Sequence, residues 1–338
     1  MKLTINLANK KLLKKILAIS LPALVIGASI TTYLVKTKDD DSKIVNNNID
    51  INNGVKRQVY LLTEDNLLMP VTLTVEKKEQ LTDEIVQLVN LLKEDSSLVN
   101  DNFKPVLSKE CELKNVLVED NVVTLNFNKK FENYDKVKEK RIVESLVWTC
   151  LQFDELDTLK LQVEDKILNY MPLNNTPLNE NLSKDIGINS HLVLGNTNQR
   201  SVNVFYERTI DDNSFYIPVT IKVEDKENDY QEVIDGMNFK LPIYSNLKTP
   251  SLLNKIEVLQ YSELDENNNL NLTLSNKALY DENTLDSKVF DYLVMNLINN
   301  DENIQTVSFT VDNEVVSVNG YEENVIAVNS LTYNEIKV

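Results

Sequence analysis

Few residues in this chain have the type and spacing to do chemistry. Cys111 and Cys150 are its two cysteines and His191 its one histidine, in 338 residues. A thiol or hydroxyl nucleophile needs a base within hydrogen-bond reach, and His191 has no acidic or thiol partner close in sequence. It reads as a solvated or loop-packing residue, with ligand or base as the alternative. No Cys-x-x-Cys or His/Cys cluster offers zinc spacing. A Cys111–Cys150 disulfide could add up to about 4 kcal/mol. The competing reading is two small buried apolar side chains, Cys150 on the packed face of a helix and Cys111 at a strand start. Glu64-Asp65-Asn66 and Asp211-Asp212-Asn213 have calcium-like composition without EF-hand spacing, and are expected to be hairpin turns. Trp148 is expected on or beside a core, with ligand binding as the alternative. The 52 acidic residues single out no catalytic pair, and six glycines leave little material for a phosphate loop. No residue is assigned a catalytic, cofactor-binding or metal role, no cofactor is expected, and the chain is read as non-enzymatic.

The elements around these residues come in two copies. Pro70-Val71-Thr72-Leu73-Thr74-Val75-Glu76 recurs as Pro218-Val219-Thr220-Ile221-Lys222-Val223-Glu224. Both follow a β-rich run, 58–62 and 202–206, and both alternate as strands do. In the first copy, strands at 58–63 and 69–76 precede a helix N-capped by Thr82, with Ile85, Leu88, Val89 and Leu92 on one face and its end near Asp95-Ser96. A hairpin at 113–128, a helix at about 136–153 and a strand at 159–163 complete the unit. The second copy repeats this order: strands at 202–206 and 215–224, a helix at 230–239 read as short and broken by Gly236 and Pro242, a hairpin at 256–275, a helix at 285–299 and a strand at 306–311. Leu146-Val147 and Leu293-Val294 occupy corresponding helix positions. The expected fold is α/β (α+β): two tandem homologous domains, each a small mixed sheet with two helices packed on one face, after an N-terminal transmembrane helix. The expected boundaries are a basic tail at 1–15, a transmembrane anchor at 16–35, a linker at 36–55, domains at 56–168 and 200–316 joined by a connector at 169–199, and a tail at 317–338 with two β-like runs.

The anchor expectation rests on Ile16 to Val35, an uncharged apolar run about 30 Å long as a helix. Lys10, Lys11, Lys14 and Lys15 before it place the N-terminus in the cytoplasm and the rest outside. A cleaved signal peptide is the alternative, though no clean Ala-x-Ala site follows. The net charge of −17 argues against nucleic-acid binding and against a broad basic contact with anionic lipid.

The order of these elements resembles the GerM domain family of sporulating bacteria. The segments that carry the likeness are "PVTLTVE" or "PVTIKVE" after a leading strand, "LTDEIVQLVNLL", "NVLVEDNVVTLNFNKKF" and "RIVESLVWTCLQFDELDTLKLQVEDK", with "MPLNNTPLNENLSKDIGIN" resembling the segment that follows the domain. The resemblance implies an α/β domain related to ring-building modules and a role in sporulation or germination. Family members support a channel-like complex between mother cell and forespore. Protein partners are therefore expected, either copies of the chain or other ring-building-type envelope proteins. The membrane would be met through the N-terminal helix, with the domains extracytoplasmic. Exposed strand edges and helix faces would supply the contacts. An envelope module for a cell-wall polymer or small ligand is the alternative, and a carboxylate-dependent hydrolase a third reading.

Overall fold

A computed structural model describes residues 54–190, 198–226, 229–241 and 246–336. The expected anchor and most of the linker, together with His191, lie outside them. Among the described residues no helix is long and apolar enough to cross a membrane.

The first repeat opens with a hairpin of β1 (Gly54–Leu62) and β2 (Leu68–Glu76), paired antiparallel with Tyr60 opposite Pro70. Helix α1 (Leu81–Asn90) follows. Its N-cap is Gln80, with no side-chain cap bond, and it ends before Asp95, so the expected Thr82 cap and the longer helix are both corrected. Glu84 in its first turn is buried against Arg57 at 2.5 Å. Then come β3 (Leu113–Glu119), β4 (Val122–Phe127), α2 (Glu139–Cys150), β5 (Thr158–Val163) and the short β6 (Lys166–Ile167). These strands form one sheet in the order β3-β4-β5-β6. β4 and β5 run parallel, because α2 carries the chain back across the sheet between them. Val123, Leu125 and Phe127 of β4 and Leu159, Leu161 and Val163 of β5 are buried, as period-two alternation requires.

The second repeat uses the same plan. β7 (Gln199–Ile210) and β8 (Asn213–Glu224) form a longer hairpin with Phe205 opposite Pro218. Helix α3 (Asp229–Met237) has nine residues against ten in α1. It is therefore not short beside its counterpart, and Gly236 does not interrupt it but is its penultimate residue, while Pro242 lies outside the described residues. Gly236 lies inside the helix, where a Cβ would sit 2.9 Å from Val202 Cγ2 and 3.1 Å from Val204 Cγ1. The residue is glycine because the helix lies so close to β7, and the corresponding position in α1 is the buried Leu88. β9 (Val258–Tyr261), β10 (Asn269–Leu274), the short β11 (Leu279–Asp281) and β12 (Thr284–Leu285), α4 (Ser287–Ile298), β13 (Thr306–Val311) and β14 (Glu314–Val318) follow, with β15 (Val325–Ala327) last. Their sheet runs β11-β12-β14-β13-β10-β9, and β15 pairs with β13. β10 and β13 are parallel, as β4 and β5 are. Of the C-terminal tail expected at 317–338, β15 is the one strand that lies wholly within it among the described residues, since β14 begins at Glu314 in the expected second domain.

Four tight turns share one solution. Asp120-Asn121, Glu164-Asp165, Asp211-Asp212 and Asp312-Asn313 all hold two successive residues at φ between 47° and 68°, the geometry of a two-residue hairpin turn. The chain fills these positions with Asp, Asn and one Glu, since short polar side chains tolerate this backbone best after glycine. The buried apolar side chains of both repeats join in one contiguous core.

Candidate functional site

The residues with chemical potential in the sequence are not brought together. Cys111 and Cys150 are both buried and free. Burial pushes each thiol up to about 12, so neither supplies a thiolate near neutral pH. Trp148 is buried, packs on Tyr60 and donates its Nε1–H to the Gly187 carbonyl at 3.1 Å. Asp65 and Asp211 lie at hairpin ends and tie the repeats to each other. Asp65 pairs with Arg208, and Asp211 accepts from Asn102 Nδ2 at 2.5 Å. Among the described residues no group of three or more His, Cys, Asp or Glu side chains could hold a metal ion. A cleft of about 390 Å³ opens beside Glu94, Ser108, Lys109, Glu110, Tyr134 and Lys138. Its one phenol is already committed, since the Tyr134 hydroxyl donates to Glu139 at 2.7 Å.

The most fully built feature is the seam between the repeats. In a two-stranded hairpin, every second residue of each strand points its N–H and C=O away from its partner, and buried groups of this kind need other partners. Along β1 these are Gln58 and Tyr60. Tyr60 donates to Thr149 Oγ1 at 3.2 Å and accepts from Ser145 Oγ at 2.6 Å. Gln58 donates to Gln152 Oε1 at 3.0 Å and accepts from Gln152 Nε2 at 2.7 Å. Thus α2 and the residue just beyond it satisfy the outer edge of β1 with side chains. The second repeat does the same with α4. Phe205 donates to Asn296 Oδ1 and accepts from Tyr292, while Asn203 exchanges two bonds with the Asn300 amide. Ser145, Thr149 and Gln152 form a polar stripe at helical spacing within an apolar face. That stripe was the sequence signal for this role, and the apolar periodicity hid it.

The outer edges of β2 and β8 face each other and are bridged by two asparagines in matching positions. Asn189, from the connector, accepts from Leu68 N at 2.8 Å and donates to the carbonyls of Leu68 at 2.7 Å and Pro218 at 2.9 Å. Asn334, from the tail, accepts from Tyr216 N at 2.7 Å and donates to the carbonyls of Tyr216 at 2.6 Å and Pro70 at 2.9 Å. Leu68 corresponds to Tyr216 and Pro70 to Pro218, so each asparagine grips one repeat with both ends of its amide and the other with one. Both adopt positive φ, 49° and 53°. Their neighbours continue the pattern. Thr220 exchanges bonds with Ile188 through its N–H and hydroxyl, and Thr72 donates from the same two groups to the Asn334 and Tyr333 carbonyls. Pro70 and Pro218 lack an N–H on the side that faces the seam, so the hairpin ladders lose nothing. The facing edges of the two hairpins are therefore closed inside the molecule and are not among its exposed strand edges.

A buried carboxylate holds the connector in place. Glu139, the first residue of α2, accepts from Tyr134 OH, from the N–H groups of Leu173, Asn174 and Thr176, and from Thr176 Oγ1 at 2.5 Å. Burial pushes this carboxyl up, but the bonds from Thr176, Tyr134 and the backbone more than reverse that and leave it at about 2. This accounts for the "MPLNNTPL" stretch as a loop folded around one acid. The corresponding residue in the second repeat, Asp286, instead caps α4 and pairs with Lys255 at 2.9 Å.

Comparison with known proteins agrees with this architecture. Residues 58–169 match the family model Germane, described as sporulation and spore germination. The chain is 26% identical over 205 residues to "Spore germination protein GerM" of Bacillus subtilis (strain 168). That overlap covers 60% of this chain and 56% of the relative, so the match spans little more than half of that protein. The fold matches the solved "Tandem GerMN domains of the sporulation protein GerM from Bacillus subtilis" with a TM-score of 0.69 and 23% identity, over 81% of this chain and 96% of that one. The tandem mixed α+β fold thus has a counterpart in a solved structure, and residues 58–169 are similar to the Germane family.

Proposed function

We propose that the protein is a non-enzymatic assembly component of sporulation or germination, anchored in the membrane by residues 16–35, with its two repeats outside the cytoplasm. The Germane match and the B. subtilis relative support the process. The observation that carries the assembly reading is the seam. Two modules are locked into one body by paired side-chain bridges, and the backbone edges of their hairpins are used up in doing so. What is left for partners is the outer surface of each repeat, and two different surfaces on one rigid body suit a protein that joins others. Catalysis has little to work with, since the thiols are buried and the buried carboxylates are held by structural bonds. Deleting the gene in its spore-forming host and counting heat-resistant spores tests the reading. A fall in spore number, restored by the wild-type gene, is expected; unchanged counts and normal germination would overturn it.

A further inference from the structure

Val137 at 72% exposure and Tyr280 at 68% are the two most exposed large apolar side chains among the described residues. They lie on corresponding connections, each between the hairpin of a repeat and its second helix. Their surroundings have opposite charge. Val137 lies between Lys136 and Lys138 in a short 3-10 turn, fixed by a bond from its N–H to Asp135 Oδ1. Tyr280 lies in β11, the edge strand of its sheet, followed by Asp281 and Glu282, and the turn is fixed by a bond from Asn283 N–H to Asp281 Oδ1. Nearby Lys129, Lys130 and Arg141 are already paired with Glu132, Glu110 and Glu144. Lys136, Lys138, Asp281 and Glu282 form no ion pair among the described residues. An isolated exposed apolar residue needs no explanation. Two that top the exposure range on corresponding connections, each beside unpaired charge of opposite sign, are mutually complementary.

We propose that the Lys136-Val137-Lys138 turn of one copy docks against Tyr280-Asp281-Glu282 of a second copy. This rests on the assembly reading above and names its contact. The ammonium groups of Lys136 and Lys138 would face the carboxylates of Asp281 and Glu282, with Val137 against the Tyr280 ring. The contact joins unlike surfaces, so each copy keeps one free surface of each kind, and repetition gives a ring or an open chain according to the rotation between copies. Between molecules of net charge −17, contact through the basic turn also avoids the general repulsion.

The test is sedimentation velocity of the detergent-purified full chain over a dilution series, at about 0.15 M and about 1 M salt. Concentration-dependent association, weakened at the higher salt, is expected. Lys136→Glu with Lys138→Glu should weaken it roughly tenfold or more, as should Asp281→Lys with Glu282→Lys, and all four changes in one chain should restore it. These are surface positions, and matched thermal melts confirm that the variants fold. A wild type that stays monomeric, association indifferent to either reversal, or no recovery in the fourfold variant overturns the proposal. A monomeric wild type whose deletion still lowers spore counts would sink this contact and leave the sporulation role standing. Normal spores from the deletion strain, with charge-dependent association intact, would do the opposite.

Discussion

The two repeats are most alike where they meet and least alike where they face outward. At the seam, Asn189 and Asn334 make the same three bonds to matching backbone groups. The first strands are edged by second-helix side chains in both, although Ser145 and Thr149 in one repeat become Tyr292 and Asn296 in the other. On the outside, segment 128–141 carries six cations against three carboxylates, while the matching segment 275–288 carries two against three. The difference follows from what each place demands. A buried backbone carbonyl accepts a bond from any donor of suitable reach but cannot be left without one. An exposed side chain is constrained by neither burial nor pairing, so its charge can differ freely between copies.

The comparison can be broken hardest at Glu139 and its counterpart Asp286. Glu139→Ala strands three backbone N–H groups and two hydroxyls around the connector and should cost about 3–4 kcal/mol. Asp286→Ala removes a helix cap and an exposed ion pair and should cost about 1 kcal/mol. Urea denaturation of the two variants measures the ratio; equal losses would mean that the connector is not held by Glu139.

Next in size are the asparagines. Asn189→Ala and Asn334→Ala should each cost about 2–3 kcal/mol, because each leaves buried backbone groups of both repeats unpartnered. Near-equal losses would show that connector and tail play matching parts. A silent Asn334→Ala, followed by urea midpoint and by proteolysis of the tail, would show that the tail is dispensable.

Gly236→Ala sharpens the contrast between the first helices. In an open helix the change would gain about 1 kcal/mol of propensity. Here the new methyl meets Val202 and Val204, so a net loss of about 1–2 kcal/mol is expected in a thermal melt. A gain would mean that α3 can move away from β7 at little cost.

The smallest effect is in pH dependence. Burial pushes the Asp291 carboxyl up to about 6, with a hydrogen bond from Tyr321 pulling it down and Asp286 adding to the rise. Its folded pKa is above the unfolded one, so the folded state holds the extra proton and stability falls as pH rises from about 4 to about 6. Glu139 has the opposite sign: its folded pKa is below the unfolded one, and its contribution is lost as pH falls from about 4.5 toward about 2. Asp291→Asn should flatten the upper slope and leave the lower one, in urea midpoints taken across that range. A slope unchanged above pH 4 would assign it to another group.

The sequence by itself determined the repeat, the strand and helix order, the hairpin turns and most apolar faces. These depend on local rules: alternation places Val123, Leu125 and Phe127 on one side of a strand, and Asp120-Asn121 or Asp312-Asn313 suit a turn wherever they fall. The same local reading misjudged Gly236 as a helix breaker and gave Thr82 a capping role, because propensity carries no information about what packs nearby. It left Asn189 unremarked in the connector, Asn334 unremarked in the tail, and Glu139 as one acid among 52. Only the tertiary structure decided those roles. The need to partner a buried N–H or C=O is set by which strands meet and what excludes water from them, and the side chain that answers can come from more than 260 residues away, as Asn334 does for Pro70.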